Sequence, residues 1–559
     1  MSSMIFQGVV FLAVLLGLAL PLGWYINRVM QGNPPRWVGF LTPLEKGIYR
    51  LLGEPSRLQM GAKVYFFSIV GLSIFSFASV LLILMTQQWL PLNGNGAQNL
   101  SLPLAINTAI SFVTNTNWQA YAGEEALSNF SQMFGLMVQN FLSAGVGLAV
   151  LTALIRGISQ KQMKTIGNFW QDLTRSLVYI LLPLSFITAI ALISQGVVQT
   201  LSQELNYTGL NGQSLTLFMG TVASQVAIKQ LGTNGGGFFG ANSAHPFENP
   251  TLLSNFIENL SILLIPAALI FAFGFWVKNW KQGRTILIVS VIFVGLAFIG
   301  VVVSEAYGTQ FEQVLSRLNM EGKEVRFGVG WSSLWAVSTT AASNGSVNAM
   351  LDSFTPLGGA LPLFLMQLGE IIFGGVGSGL YGMLAFLLLT VFIAGLLVGR
   401  TPEYLGKKIE AFDIKMASVV IVTPLLLTLF GAMALVLHPD VLSWLGNSSA
   451  HGFSEILYGA TSLANNNGSA FAGLLGDTTF LNLLGSLMMA VSRFVPMLAI
   501  LYLAQNMSGK KMTALSEGTL STVNPTFVSM LVIVIVVIGA LSFLPAMALG
   551  PIADFFTMN

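Results

Sequence analysis

Ten apolar stretches, each long enough to cross a bilayer as a helix, constrain the fold of this chain more than any other feature. A membrane-spanning helix needs about 20 residues that are mostly apolar. The stretches are 4–25, 64–87, 132–155, 172–194, 253–276, 284–304, 363–398, 416–437, 479–504 and 526–549. Charged residues make up only 8% of the chain, whereas soluble domains carry about 25%. We therefore predict an all-α polytopic membrane protein with about ten transmembrane helices.

The positions of the basic residues predict how the chain is oriented. Of the 24 Lys and Arg residues, 19 lie in or beside alternate connections. These residues are Arg28, Arg36, Lys46, Arg50, Arg57, Lys63, Arg156, Lys161, Lys164, Arg175, Lys278, Lys281, Arg284, Arg400, Lys407, Lys408, Lys415, Lys510 and Lys511. Because Lys and Arg mark the cytoplasmic side, both termini are predicted to be extracytoplasmic.

The absence of Cys excludes disulfides and thiolate metal sites, and the net charge of +2 indicates no nucleic-acid partner.

Four short polar segments of similar composition lie in the connections predicted to be extracytoplasmic. They are Thr114-Asn115-Thr116, Thr233-Asn234-Gly235, Ser343-Asn344-Gly345 and Asn466-Asn467-Gly468. Their central Asn residues are 119, 110 and 123 positions apart. A single segment of this kind would be read as an ordinary exposed turn. Four of them at near-regular spacing favour one shared role.

Each polar segment follows an apolar stretch that is too short to span the membrane. These stretches are 103–113, 219–232, 330–342 and 453–464. A short stretch must turn back at membrane depth, which is tolerated only inside protein or beside a wet cavity. We predict four helix–pore loop–helix repeats around one pseudo-fourfold pore, flanked by two further helices. The predicted units are 1–63 (N-terminal helix and basic loop), the pore repeats 64–170, 171–282, 283–415 and 416–524, and the C-terminal helix 525–559.

The chemistry of the four segments suits a monovalent cation. Asn, Thr, Ser and Gly offer neutral carbonyl and hydroxyl oxygens, and the segments contain no acidic residue. Divalent-cation sites usually include carboxylates, whereas rings of carbonyl oxygens replace the hydration shell of K⁺ in channel filters. We therefore predict a K⁺ filter formed by all twelve residues of the segments, with the pore architecture of the potassium channel-like superfamily.

At these residues the chain resembles the KdpA family, the potassium-binding subunits of the bacterial Kdp potassium-transporting P-type ATPase. The resemblance covers essentially the whole chain. It is carried by the motifs Thr114–Gln119, Gly232–Phe239, His245–Pro250, Asn319–Glu324, Arg326–Gly328, Gly369–Glu370, Phe373–Gly382, Gly399–Lys408 and Ala464–Phe471. Within the filter, the first segment ends in Thr116 where the other three end in Gly.

The resemblance implies a function and a set of partners. It implies that the four segments bind extracytoplasmic K⁺ and that the chain passes this ion to a P-type ATPase subunit, KdpB, for high-affinity uptake. It also implies the accessory subunits KdpC and KdpF, contact with membrane lipid and a location in the bacterial cytoplasmic membrane. A stand-alone channel-like secondary potassium transporter of the Trk/Ktr type is the alternative.

Energy for transport must come from a partner. The sequence contains neither a Gly-x-x-x-x-Gly-Lys-Ser/Thr loop nor an Asp-Lys-Thr-Gly-Thr phosphorylation motif. We therefore predict that the chain binds no nucleotide and is not an enzyme on its own.

A glycine-rich segment within the stretch 363–398 is the candidate gate below the filter. Its candidate residues are Gly374, Gly375, Gly377, Ser378 and Gly379. Interrupted helices belong where the backbone lines a cavity, although a loose helix-packing surface is the alternative.

Two charged residues inside apolar stretches, Glu370 and Arg493, are also functional candidates. They either line the ion pathway or form a structural ion pair with each other.

Overall fold

The computed structural model describes residues 1–308, 318–512 and 520–558. Within these residues, ten helices are long and apolar enough to cross a membrane, so the predicted all-α polytopic fold is confirmed. The predicted repeats 283–415 and 416–524 each include one segment outside the described residues (309–317 and 513–519), as the C-terminal unit does at residue 559. The boundaries of the repeats remain a prediction.

The helices follow one another along the chain with few strands between them. The α-helices are α1 (Ser2–Met30), α2 (Thr42–Leu52), α3 (Ala62–Thr86), α4 (Leu102–Val113), α5 (Gly123–Ala126), α6 (Val138–Ser159), α7 (Phe169–Arg175), α8 (Leu182–Ser194), α9 (Val222–Leu231), α10 (Leu252–Trp276), α11 (Trp280–Tyr307), α12 (Gly328–Ala341), α13 (Pro356–Gln367), α14 (Ser378–Val398), α15 (Ala411–Val436), α16 (Ser449–Ala464), α17 (Thr479–Gly509), α18 (Pro525–Met547) and α19 (Ala553–Met558). Wider π-turns extend three of the membrane helices, at Ser131–Met137, Ser176–Leu181 and Ala548–Ile552.

In the part of the chain that the structure describes, the strands form two small hairpins. In the first, β1 (Glu204–Thr208) pairs antiparallel with β2 (Ser214–Phe218), and Glu204 lies opposite Phe218. In the second, β3 (Glu403–Tyr404) pairs antiparallel with β4 (Lys407–Lys408). Both are connections between helices and leave the fold all-α in character.

Four short helices, α4, α9, α12 and α16, occupy the places where re-entrant stretches were predicted. Helix α4 has Pro near its start, where a missing backbone N–H costs no hydrogen bond. The last residue of each helix lies just before one of the four polar segments. The chain is therefore directed into each segment by the end of a helix.

One predicted span is divided in two. The stretch 363–398 was predicted as a single helix with an internal break, and the structure instead has α13 and α14 separated by residues 368–377. Five residues of this interval have positive φ, which a right-handed helix cannot accommodate. They are Gly369, Glu370, Phe373, Gly374 and Gly377. Of the two pieces, only α14 has the length of a membrane span.

Close approach of backbones holds the central helices together. A Cβ atom on Gly23 of α1 would lie 2.6 Å from the carbonyl oxygen of Ala268 in α10. In the same way, a Cβ on Gly157 of α6 would lie 2.4 Å from the carbonyl oxygen of Ala504 in α17. Small residues at such crossings replace the hydrophobic driving force that is missing in lipid. These contacts position the helices that surround the four segments.

Candidate functional site

The four polar segments begin with the same backbone turn. In each, an N–H donates to the carbonyl five residues earlier in the preceding short helix. The pairs are Thr116 to Ser111 (2.9 Å), Asn234 to Lys229 (2.9 Å), Asn344 to Thr339 (3.0 Å) and Asn467 to Ser462 (2.9 Å). The residue before each donor has positive φ: Asn115 (69°), Thr233 (49°), Ser343 (52°) and Asn466 (56°). One left-handed residue therefore ends each short helix and turns the chain into the segment.

This turn corrects the register of the first segment by one residue. The sequence comparison paired Thr114 with Thr233, whereas the backbone pairs Asn115 with Thr233. Asn117, with a φ of 56°, then takes the place of Gly235, with a φ of 78°. Thr114 instead ends the helix, and its hydroxyl donates to the carbonyl oxygen of Ile110 (2.8 Å). The segment structurally equivalent to the other three is Asn115-Thr116-Asn117.

The segments approach each other in cyclic order through their glycines. A Cβ on Gly235 would lie 1.9 Å from the backbone nitrogen of Gly345. A Cβ on Gly345 would lie 2.7 Å from the carbonyl oxygen of Asn467, and one on Gly468 would lie 1.7 Å from that of Thr116. Distances this short leave no room for a side chain. The second segment therefore contacts the third, the third contacts the fourth, and the fourth contacts the first.

Side-chain hydrogen bonds join the segments and their short helices at all four junctions, so that they close a ring. The bonds are Asn115 Nδ2 to the carbonyl oxygen of Thr233 (3.0 Å), Asn344 Nδ2 to that of Lys229 (3.2 Å), Ser343 Oγ to that of Asn466 (3.2 Å), Asn467 Nδ2 to that of Thr339 (3.2 Å), and Asn466 Nδ2 to Thr116 Oγ1 (3.0 Å). All twelve predicted filter residues except glycine are at most 5% exposed. A buried polar ring with satisfied amides is a rigid arrangement.

The oxygens that the ring offers are neutral. Its segments contribute backbone carbonyls, amide oxygens and hydroxyls, and no carboxylate belongs to them. Oxygens of this kind suit a large monovalent cation, whose hydration shell carbonyl dipoles can replace. The ring could therefore hold the ion predicted from the sequence.

The interval between α13 and α14 packs directly against the ring. The Val376 N–H donates to Thr233 Oγ1 (2.8 Å), and the Gly374 N–H donates to the carbonyl oxygen of Ala341 (2.9 Å). A Cβ on Gly374 would lie 2.0 Å from the Cα of Gly379, so the interval also folds tightly on itself. Of the five candidate gate residues, Ser378 and Gly379 belong to the first turn of α14, and the other three lie in the interval.

Glu370 and Arg493 have different hydrogen-bond partners. Glu370 Oε1 accepts a hydrogen bond from Asn467 Nδ2 (2.5 Å), and Arg493 Nη2 donates to the carbonyl oxygen of Ser143 (3.4 Å). Both side chains line one cavity, together with Ser343 and Asn466 of the ring. This geometry agrees with the pathway alternative, while the role of the two residues stays a prediction.

Sequence reasoning missed one feature at the start of α16. His451 lies between two carboxylates and in its protonated form donates to both, with Nε2 2.9 Å from Asp352 Oδ1 and Nδ1 2.8 Å from Asp554 Oδ2. These hydrogen bonds raise the pKa of His451 from 6.5 to about 10, and the bond to Asp352 has the largest effect. The three residues lie about 100 positions apart, so no local pattern could reveal their contact. They tie the third and fourth repeats to α19.

The chain is similar to proteins of one family over nearly its whole length. It matches the family described as potassium-transporting ATPase A subunit, KdpA, over residues 9–556. A protein of Listeria monocytogenes named potassium-transporting ATPase potassium-binding subunit is 58% identical over 559 residues, covering 100% of both chains. Proteins of that name from Herpetosiphon aurantiacus and Clostridium botulinum are 50% identical over 577 and 580 residues, again covering 100% of both chains.

A solved structure is also similar. The crystal structure of the potassium transporter TrkH from Vibrio parahaemolyticus matches with a TM-score of 0.49 at 16% identity, covering 74% of this chain and 82% of that chain.

Proposed function

Because the chain belongs to the KdpA family of potassium-transporting ATPase A subunits, we propose that its ring of four segments is the filter that binds extracytoplasmic K⁺ for ATP-driven uptake. The observation that carries this proposal is the closed ring itself, in which four equivalent turns are joined at every junction by buried neutral groups. Such a ring presents dipoles without a fixed negative charge, which favours a weakly hydrated ion.

The filter residues are those of the four segments, with one addition from the structure. They are Thr114, Asn115, Thr116, Thr233, Asn234, Gly235, Ser343, Asn344, Gly345, Asn466, Asn467 and Gly468, and Asn117 joins them because it takes the glycine position of the first segment. Their backbone carbonyls supply most of the ligands, since many of the side-chain amides are engaged between segments.

The subunit is non-catalytic, and its energy comes from a complex with an ATPase. We propose KdpB as the P-type subunit that hydrolyses ATP and receives the ion, with KdpC and KdpF as accessory subunits. The relatives named potassium-binding subunits of a potassium-transporting ATPase support this assignment, and they favour it over a stand-alone Trk/Ktr-type transporter.

The route from the filter to the partner passes the interval between α13 and α14. The proposed gate and tunnel residues are Glu370, Gly374, Gly375, Gly377, Ser378, Gly379 and Arg493. The hydrogen bond from the Val376 N–H to Thr233 Oγ1 supports this role, because it places the interval against the ring. The cavity that Glu370 and Arg493 line begins at the same place.

The protein is a multi-pass membrane protein with ten candidate spans in the described residues. We propose that it lies in the bacterial cytoplasmic membrane with both termini on the extracytoplasmic side. The concentration of Lys and Arg in alternate connections supports this orientation.

The test is the K⁺-stimulated ATPase activity of the complex purified from its native membrane. The proposed function predicts co-purification of a P-type ATPase and no ATP hydrolysis by the isolated chain. It also predicts that Gly235→Asp, Gly345→Asp and Gly468→Asp raise the half-saturating K⁺ concentration and weaken discrimination against Na⁺ and Rb⁺.

Gly212→Asp is the matched control for these variants. Gly212 lies in the exposed hairpin loop with the same φ as Gly235, 78°, and an added Cβ would meet nothing within 4 Å. The Gly212→Asp variant adds the same charge as the filter variants and has a similar conformational cost in the backbone. Wild-type affinity in all three filter variants would contradict the proposal.

A further inference from the structure

One position of the short helices breaks the fourfold similarity of the ring. It is the residue whose carbonyl accepts the N–H of the second residue of each segment, counted in the corrected register: Ser111, Lys229, Thr339 and Ser462. Three of these residues are small and hydroxylated, and the fourth is a lysine. Lysine is among the most costly residues to place inside a membrane protein, so its presence at this position requires a reason.

The lysine side chain occupies the role that a hydroxyl has in two other repeats. Ser111 Oγ donates to the carbonyl oxygen of Trp118 (3.0 Å), and Thr339 Oγ1 donates to that of Ser346 (2.8 Å). Lys229 Nζ donates to the carbonyl oxygen of Gly236 (3.1 Å). In each case the acceptor lies seven residues after the donor and directly follows the segment. The equivalent carbonyl is therefore held by a neutral hydroxyl group in the first and third repeats and by an ammonium group in the second repeat.

The ammonium group is completely enclosed. Lys229 is 1% exposed and forms an ion pair with Glu248, which is 0% exposed. Its other acceptors are Asn242 Oδ1 (3.2 Å) and Ser243 Oγ (3.1 Å). Burying such a pair costs desolvation free energy, and a hydroxyl could hold the carbonyl without that cost.

The partners of Lys229 connect two neighbouring segments. Asn242 Oδ1 also accepts from the N–H of Val347, which follows the third segment (3.3 Å). Glu248 Oε2 accepts from the N–H of Phe238, which follows the second (3.2 Å). The backbone carbonyl of Lys229 accepts from Asn344 Nδ2 of the third segment (3.2 Å). Lys229 is thus a single node at which the second and third segments are both fixed.

We propose that Lys229 is a positioning residue that sets the ion affinity and selectivity of the filter by fixing the carbonyl of Gly236 and the loop backbone that follows Gly235. This inference rests on the proposed function of the ring. A charge-assisted hydrogen bond is roughly twice as strong as a neutral one, so the second segment is held more rigidly than the first and third. A rigid loop resists the inward movement of its carbonyl oxygens that coordination of a smaller ion such as Na⁺ would require.

The test variant is Lys229→Thr combined with Glu248→Gln in the purified complex. The combination gives the second repeat the residue of the third and removes both charges of the ion pair, so that Glu248 is not left as a buried carboxylate without its partner. Two quantities are measured: the K⁺ dependence of ATPase activity, and equilibrium binding of Rb⁺ in competition with Na⁺. We expect binding of K⁺ and Rb⁺ to weaken about tenfold, which corresponds to about 1.4 kcal/mol. Discrimination against Na⁺ falls, and maximal turnover stays close to that of the wild type.

Lys323→Gln combined with Glu305→Gln is the matched control. These two side chains form another ion pair, at 2.8 Å, with both side chains 0% exposed. Lys323 Nζ donates to the carbonyl of Glu321, outside the four segments. A general effect of losing a buried pair would appear in both double variants, and in both thermal unfolding curves. An equal loss of selectivity in the control would overturn the inference.

Further variants separate the possible failures. Glu248→Gln alone keeps the ammonium and its bond to Gly236, so its K⁺ affinity should stay near that of the wild type; a loss as large as that of the double variant would overturn the inference. If the double variant does not assemble, Lys229→Gln replaces it, and wild-type selectivity there would overturn the inference as well.

Gly235→Asp tests the filter itself: if it weakens binding while the Lys229 variants do not, only the role of Lys229 fails. If neither weakens binding, the proposed filter fails.

Discussion

The ring of four segments and the interval between α13 and α14 are both buried, glycine-rich interruptions of helical structure, but their glycines have different structural roles. In the ring, Gly235 and Gly468 contact the backbone of a neighbouring segment that is about 110 residues or more away along the chain. In the interval, Gly374 contacts Gly379, five residues later. Glycine in the ring therefore sets the distance between repeats, whereas glycine in the interval sets how one helix is broken.

The two regions also differ in their side chains. Ring side chains are neutral and bridge one segment to the next, whereas the interval contributes a carboxylate, Glu370, that reaches up to Asn467. If the ring selects the ion and the interval controls its passage, substitutions in the first should alter ion affinity and substitutions in the second should alter leakage. The following predictions test that division.

Gly468→Ala is expected to have the largest effect. The new Cβ would lie 1.7 Å from the carbonyl oxygen of Thr116, and the residue has a φ of 91°. The backbone conformation alone costs roughly 1 kcal/mol or more, and the clash forces the first and fourth segments apart. The half-saturating K⁺ concentration of the complex should rise by about 100-fold, corresponding to two steps of about 1.4 kcal/mol.

The control for this variant is Gly53→Ala. Gly53 has a φ of 65°, and a Cβ there would meet nothing within 4 Å. If Gly53→Ala and Gly468→Ala gave the same K⁺ dependence, the close approach of the segments would have no role in ion binding.

Gly377→Ala is expected to alter passage rather than affinity. Its Cβ would lie 2.1 Å from the carbonyl oxygen of Gly147 in α6, at a φ of 86°, so the interval must move away from that helix. In reconstituted vesicles, K⁺ flux without ATP should rise above background while the half-saturating K⁺ concentration stays near that of the wild type. A change in affinity with no change in passive flux would remove the distinction between the two regions.

The sequence was sufficient to locate both regions, because short apolar stretches, Asn-Gly pairs and clustered glycines are local patterns. The register of the first segment was missed because Thr114-Asn115-Thr116-Asn117 alternates hydroxyl and amide groups and can be aligned in two ways. Only the left-handed conformation of Asn115 decides between them.

The division of the stretch 363–398 shows a second limit of sequence reasoning. Glycines predicted a break, but its position depends on positive φ at Glu370 and Phe373, which are not residues that favour this conformation. Contacts with the ring, such as that between Asn467 and Glu370, hold them there. Such tertiary contacts, like the ion pair of Lys229 with Glu248, join residues whose proximity no periodicity reveals.

Glu370→Ala tests the link between the two regions and should have a moderate effect. It removes the acceptor for Asn467 Nδ2, and the loss of one hydrogen bond of about 1 kcal/mol corresponds to roughly a fivefold change in an equilibrium constant. The half-saturating K⁺ concentration should rise by about that factor, as read from K⁺-stimulated ATPase activity. Glu370→Gln keeps an acceptor oxygen and serves as the control. Equal effects of the two variants would show that charge, rather than the hydrogen bond, matters at this position.

The smallest effect on transport is expected for His451, which lies outside both regions. Its pKa in the folded protein, about 10, is above the ordinary value of 6.5. The stabilisation is therefore fully present below about pH 6.5 and is lost as the pH rises through about 10. Thermal unfolding of the complex should show this decline between pH 6.5 and 10, and His451→Gln should reduce its slope without changing K⁺ affinity. An unchanged slope would show that the two carboxylates do not bind a protonated His451.

The most direct test of the account is to locate the bound ion. Crystals of the complex grown or soaked with Tl⁺ in place of K⁺ give anomalous scattering that identifies the ion independently of protein density. The account predicts an anomalous peak on the axis of the ring, enclosed by the segments that contain Thr116, Asn234, Asn344 and Asn467. Peaks confined to the cavity lined by Glu370 and Arg493, with none inside the ring, would contradict it.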